Sequence, residues 1–138
     1  MSAELIEAIN NGWVSTVQQL IDQGVNVNSE SGQCRQIPLH LASIVGNVDI
    51  VCMLLKAGAD IKKRESLFGD TALHAAASYN HVDVLKVLLD AGASKEDTND
   101  RGMTARSVAI AEWHTEAVNF LYLYIYNESR STIEVLYD

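Results

Sequence analysis

The sequence predicts an all-α solenoid: helix–turn–helix units stacked in a row, joined by hairpin-like loops, with degenerate units capping the two ends. Three observations predict it. First, residues 71–93, "TALHAAASYNHVDVLKVLLDAGA", restate residues 37–59, "IPLHLASIVGNVDIVCMLLKAGA", without a gap. The two stretches agree at Leu39/Leu73, His40/His74, Ala42/Ala76, Val48/Val82, Asp49/Asp83, Leu54/Leu88, Leu55/Leu89, Ala57/Ala91, Gly58/Gly92 and Ala59/Ala93. Such a period is the mark of stacked repeats. Second, apolar residues within each stretch recur at i, i+3, i+4 spacing, the signature of a helix with one buried face. Third, glycine or asparagine punctuates the helical runs at fixed points. A unit of this kind cannot bury its apolar face alone, and its neighbours supply the missing partner.

The elements follow in order. Backwards by one period, "GWVSTVQQLIDQGVN" lays Gly12, Val14, Val17, Leu20, Ile21 and Gly24 onto the same slots. This first unit (residues 1–31) lacks a preceding hairpin and carries Glu4, Glu7, Gln18, Gln19 and Asp22, as an N-terminal cap requires. The second unit spans residues 32–65; its Cys52 falls in a helical segment as a buried or half-buried thiol, and Lys62-Lys63-Arg64 reads as a solvated loop. In the third unit (66–98), Asp70-Thr71 precede an alanine-rich run and can cap its first N–H groups. Ala72, Leu73, Ala75, Ala76 and Ala77 then form a slender first helix that lets neighbouring backbones approach. Asn80-His81 mark the turn, and Val82, Val84, Leu85, Leu88 and Leu89 form the second, amphipathic helix. Ala91-Gly92 close it, because glycine accepts the left-handed conformation that ends a helix. The polar "ASKEDTNDRGM" that follows reads as a turn or loose hairpin.

The fourth unit (99–126) keeps Thr104, Ala109, Val118 and Leu121 in "TARSVAIAEWHTEAVNFLYLY". Trp13 and Trp113 stand at the inter-helix turns of the end units, where they are expected to cap the core. Tyr122, Tyr124 and Tyr126 alternate with Leu121, Leu123 and Ile125 and cannot share one helix face, so some tyrosine stays exposed or lies under the tail. In that tail (127–138), Ser131 and Glu134 are spaced to open a short helix whose Ile133, Val135, Leu136 and Tyr137 would cover the last unit.

These motifs resemble ankyrin repeats. The T-P-L-H-type start, the Gly or Asn turn and the L-L-x-x-G-A-D end all stand at that family's spacing, over residues 3–126. The resemblance implies that Thr71 with His74, and His40, make local hydrogen bonds that fix the turn and tie adjacent repeats together. Two departures carry consequences. Ile37 replaces the usual threonine, so His40 loses one expected partner, and Arg35 replaces the turn glycine seen at Gly69 and Gly102, so the first hairpin should be distorted. In the last unit Arg106 and Ser107 replace an apolar residue and a histidine, as suits a terminal repeat facing water.

Composition excludes several function classes. The chain has 138 residues and a net charge of −8, which opposes binding to phosphate-rich partners, so no nucleic acid is expected. The run "FLYLYIY" is far too short to span a bilayer, and the first residues have no basic n-region or cleavage site, so no membrane is expected and the cytoplasm is the default compartment. Two cysteines are too few for a disulfide framework. His40, His74, His81 and His114 are read as scaffold residues, with no metal-ligand spacing among them and the cysteines. Cys34 lacks an activating neighbour, Asp49 and Asp83 are equivalent scaffold positions, and no phosphate loop is present. No cofactor and no catalytic residue is expected; an enzyme would require His81, Asp70 and Cys34 to converge.

What remains is surface. The resemblance implies that hairpin tips and the outer ends of the first helices carry partner contacts: Gln33, Cys34 and Gln36, Ile44 and Val45, Leu67, Phe68 and Asp70, Ser78 and Tyr79, Asp100, Arg101 and Met103, and Ala111 and Glu112. Ile44, Val45, Leu67, Phe68, Tyr79 and Met103 are apolar where a solvated groove would be polar, which points to a protein interface; packing against the next repeat is the competing reading for Ile44, Val45 and Leu67. The expected function is a non-catalytic module that binds one protein partner, one with a basic surface, through its concave groove. It would act as an adaptor or a stoichiometric inhibitor of the immunity-protein or antitoxin kind, and be monomeric when unbound. With its starting Met, both caps and a tail the chain reads as nearly complete. The alternative is a scaffold subunit or self-associating module using the tyrosine-rich C-terminal end.

Overall fold

The computed structural model describes the backbone of residues 2–32 and 34–137 and the side chains of residues 3–32 and 34–127. Helices follow one another in pairs: α1 (Ser2–Asn11) with α2 (Val14–Asp22), α3 (Pro38–Val45) with α4 (Val48–Lys56), α5 (Ala72–Ser78) with α6 (Val82–Asp90), and α7 (Ala105–Ala111) with α8 (Thr115–Tyr137). The first helices α1, α3, α5 and α7 pack each on the next, and the second helices α2, α4, α6 and α8 form a parallel layer behind them. Among the described residues the only β-type pairing is the bridge between Ser31 and Gln36. The fold is therefore all-helical, as the periodicity predicts.

The core lies between the two layers. Every residue from Ala72 to Ala77 is buried, because the short α5 is flanked by α3 on one side and α7 on the other. Small side chains are what allow this; a longer one at Ala72 or Ala76 would hold the layers apart. In the second layer Val84, Leu85, Leu88 and Leu89 of α6 face inward, beside Ile50, Val51 and Leu54 of α4. Full burial of each such aliphatic side chain contributes roughly 1.5–3 kcal/mol. Glu4, Glu7, Gln18, Gln19 and Asp22 line the exposed side of the first pair, as a cap requires.

Each inter-helix turn needs one residue at positive φ, and the chain meets the need in four ways: Gly12 (φ 70°), Gly46 (φ 83°), Asn80 (φ 60°) and Trp113 (φ 60°). Glycine and asparagine tolerate this region, whereas a bulky residue is strained there. Trp113 does not cap the core. It is 89% exposed, so the expectation of a capping tryptophan is corrected there; Trp13 is 50% exposed. Only Trp113 occupies the left-handed position itself; Trp13 follows Gly12, which takes it, and has φ −79°.

Three further expectations change. Arg35 adopts the left-handed φ of 48° that its glycine equivalents use, and Ser31 and Gln36 still exchange hydrogen bonds of 2.9 and 2.8 Å, so the first hairpin keeps its backbone pairing. The tail does not start a new helix at Ser131: α8 runs unbroken to Tyr137, because the glycine that stops α4 at Gly58 and α6 at Gly92 has no counterpart in it. Whether Ile133, Val135, Leu136 and Tyr137 cover the last pair lies outside the described side chains. The basic triplet is only partly a solvated loop. Lys63 donates to the Asn28 carbonyl of the preceding unit and Arg64 to the Thr98 carbonyl of the following one.

Candidate functional site

The hairpins preceding α5 and α7 are locked one to the other. Glu65 organises the first of them: its carboxylate accepts from the backbone N–H groups of Leu67 (2.7 Å), Phe68 (2.6 Å) and Asp70 (3.1 Å). Burial pushes this carboxyl upward, but the three backbone donors, from Leu67, Asp70 and Phe68, outweigh burial and hold it below its ordinary range. Asn99 plays the same part in the next hairpin, accepting from the N–H groups of Arg101 and Met103 at 3.0 Å each. Between the hairpins, the Asp100 N–H donates to the Phe68 carbonyl at 2.9 Å, and the Asn99 amide donates to the Asp70 carboxylate at 2.8 Å. The Arg101 guanidinium lies over the Phe68 ring, 5.0 Å from its centre. The tip residues sit on a fixed backbone.

All four histidines bind the repeats together. His40 and His74, near the starts of α3 and α5, reach forward with Nε2 to the carbonyls of Asp70 (2.9 Å) and Met103 (2.8 Å) in the following hairpins. His81 and His114, before α6 and α8, reach back to the carbonyls of Ile44 and Ser78 at the ends of the preceding first helices, both at 2.8 Å. The sequence reads all four as scaffold residues without naming these partners; the equivalent places of His81 and His114, each just before the second helix of its pair, are the available signal. At α5 the capping box is complete, with His74 Nδ1 accepting from the Thr71 N–H (3.1 Å) and lying 2.8 Å from its hydroxyl. At α3 it is not. Ile37 offers no hydroxyl, and His40 Nδ1 is buried without a partner. Burial, the largest influence, lowers the His40 pKa below its ordinary value against the opposing pull of the Asp70 carbonyl and of Glu65 and Asp70.

Several of the expected contact residues line two depressions. The larger, of about 250 Å³, is lined by Phe68, Asp70, Ser78, Asn99, Arg101, Met103, Val108, Ala111 and Glu112. The smaller, of about 140 Å³, is lined by Cys34, Arg35, Gln36, Ile37, His40, Leu41, Ile44 and Glu65. Leu67 is 73% exposed, Phe68 48% and Tyr79 54%, and Val45 and Asp100 are exposed too, whereas Ile44 and Met103 are half-buried. Packing against the next repeat therefore accounts for part of Ile44 but not for Leu67. Val45, Leu67, Tyr79 and Asp100 stand outside the lining of both depressions. Gln33 lies outside the described residues.

Asp70, His81 and Cys34 are not brought together: Asp70 pairs with Asn99, His81 with the Ile44 carbonyl, and Cys34 lies at the other depression. Among the described residues no group of three or more His, Cys, Asp or Glu side chains is placed to hold a metal ion, and no helix is long and apolar enough to cross a membrane. A second exposed set gathers on the last helix pair: Ile110, Trp113, Tyr122, Leu123 and Tyr126, with Arg106 over the Tyr122 ring at 5.3 Å and Tyr122 stacked near Tyr126. Tyr124 instead packs half-buried against the core.

Comparison with known proteins agrees with this architecture. The family model for ankyrin repeats, in three copies, matches residues 4–65 and 61–131, nearly the whole chain. No curated protein sequence matches it. Ankyrin repeats are in general protein–protein interaction modules and typically carry no catalysis. With the repeat spacing, the paired helices and the histidine ties between successive hairpins, the chain belongs to the ankyrin repeat family.

Proposed function

We propose that this protein is a non-catalytic binding module that engages one protein partner through the face made by its hairpin tips and first-helix ends. The observation that carries the reading is the pair Leu67 and Phe68, exposed at 73% and 48% on a hairpin whose backbone is tied down by Glu65 and by the next hairpin. Rigid exposed apolar side chains lose little entropy on binding and exclude water well. Ile44, Val45, Tyr79 and Met103 extend that surface, and Asp70, Asp100, Arg101 and Glu112 form its polar rim. The acidic rim and the net charge of −8 favour a partner with a basic surface and raise the association rate more than the affinity. Cytoplasmic, and monomeric when unbound, such a chain would serve as an adaptor or as a stoichiometric inhibitor of the immunity-protein or antitoxin kind.

The test is capture from native lysate by the wild type and by a Phe68→Ala/Tyr79→Ala variant, once circular dichroism shows both equally folded. The expected result is one stoichiometric partner held by the wild type and lost by the variant. Retention of that partner by the variant would place the contact elsewhere. A second reading has its own support: Ile110, Trp113, Tyr122 and Tyr126 are exposed together on the last helix pair, the end used by a self-associating scaffold. It predicts concentration-dependent oligomers in sedimentation that Trp113→Gly abolishes.

A further inference from the structure

We propose that the hairpin face takes an extended segment of its protein partner that carries an aliphatic side chain and, three residues along, an arginine or lysine. This rests on the reading above that the face binds a protein. The two depressions occupy neighbouring repeat junctions but differ in chemistry. In the smaller one Ile37, Leu41 and Ile44 supply apolar lining beside Arg35, and its one carboxylate, Glu65, is already turned onto three backbone N–H groups of its own hairpin. It offers shape without an available negative charge, which suits an aliphatic side chain.

The larger depression adds charge to an apolar lining. Met103, Val108 and Ala111 supply apolar lining, and Asp70 and Glu112 supply two carboxylates. Asp70 uses one oxygen for the Asn99 amide, and neither carboxylate has an ion-pair partner among the described residues. The one cation in the lining, Arg101, lies over the Phe68 ring. A long basic side chain fits this combination, because its methylene stem can lie on the apolar lining while its charged head meets the carboxylates. A volume of about 250 Å³ is below that of pockets for drug-sized ligands and is suited to one side chain.

Geometry sets the spacing. Neighbouring first helices in contact lie roughly 8–10 Å apart, so successive junctions are separated by about that distance. In polyproline II conformation, three residues advance the chain about 9 Å and bring the side chain back to the same face. A β-strand would turn side chains three apart to opposite faces. The occupant is therefore a polyproline II segment with its aliphatic and basic residues at i and i+3, in either chain direction.

The probes are short proline-rich peptides carrying Leu-x-x-Arg or Arg-x-x-Leu, with controls in which Glu replaces Arg, Ser replaces Leu, or the pair is moved to i, i+2. Each is titrated into isotopically labelled protein and followed by amide chemical shifts. The expected result is saturable shifts around Ile44, Met103 and Glu112, with the arginine peptide at least about tenfold tighter than its Glu control, and with that preference removed by Glu112→Lys. Equal binding of the Arg and Glu peptides, indifference to spacing, shifts confined to α2, α4 and α6, or no shift with any peptide would each overturn the proposal. The parent reading is judged separately, by partner capture with the Phe68→Ala/Tyr79→Ala variant.

Discussion

Replacing Ile37 by threonine should stabilise this protein although it removes buried hydrocarbon. The structure contains its own control. Thr71 caps α5 and serves His74 Nδ1, whereas Ile37, at the equivalent place in α3, leaves His40 Nδ1 buried without a partner. Ile37→Thr would supply a side-chain cap, worth about 1 kcal/mol, and a hydrogen bond to a buried polar atom, worth about another 1 kcal/mol. Against this, Ile37 is only 3% exposed, and trimming it costs about 0.5–1.5 kcal/mol, by analogy with Ile→Val. The net expectation is a gain of about 0.5–1.5 kcal/mol at neutral pH, read from urea unfolding. The pH profile sharpens the test. Burial lowers the His40 pKa from 6.5, so between the folded pKa and 6.5 the unfolded chain binds more protons than the folded one. Stability is thus complete above about pH 6.5 and is lost as pH falls through that window. The introduced hydroxyl can also accept from the protonated ring, so Ile37→Thr should flatten the loss. A destabilisation beyond about 1 kcal/mol, or the same gain in a His40→Leu background, would refute the reasoning, because about half of the expected benefit passes through the imidazole and the rest through the backbone cap.

Three other substitutions probe the turns. Arg35→Gly should raise stability by about 0.5–1 kcal/mol in urea unfolding, since relief of a left-handed non-glycine residue exceeds the entropic cost of glycine. Gly46→Ala should cost about 2–3 kcal/mol: φ is 83°, and the new methyl would meet the His81 ring at 2.5 Å and disturb its bond to Ile44. Much of that cost should vanish in a His81→Ala background. Trp113→Gly should raise the melting temperature by a few degrees, because the indole is 89% exposed and its backbone is left-handed; a lower melting temperature would mean that the indole packs against the fold.

Much of the fold is local in origin and was therefore legible. Thr71 caps its own helix, Val84, Leu85, Leu88 and Leu89 mark one helix face, and Gly58 and Gly92 end theirs, all within a few residues of the groups they act on. The consequence of Ile37 for His40 followed from the family resemblance, which implies a threonine at that place bonded to the histidine. The end of α8 was misjudged because a lost stop signal is harder to see than a present one. At Trp113 the expectation failed because the residue occupies the left-handed position of its turn, whereas Trp13 follows Gly12, which takes that position.

By itself, the sequence determined the repeat register, the pairing of helices and which face of each is buried. Those properties depend on spacing along the chain. Tertiary structure decided how the repeats become a surface. It turned Glu65 inward onto its hairpin, stacked Arg101 on Phe68, left the Asp70 and Glu112 carboxylates without an ion-pair partner among the described residues, and split the face into an apolar and an acidic depression. It also joined His81 to Ile44 and His114 to Ser78. These relations hold between residues of different repeats, and only the stacking of one unit on the next brings such residues within contact distance.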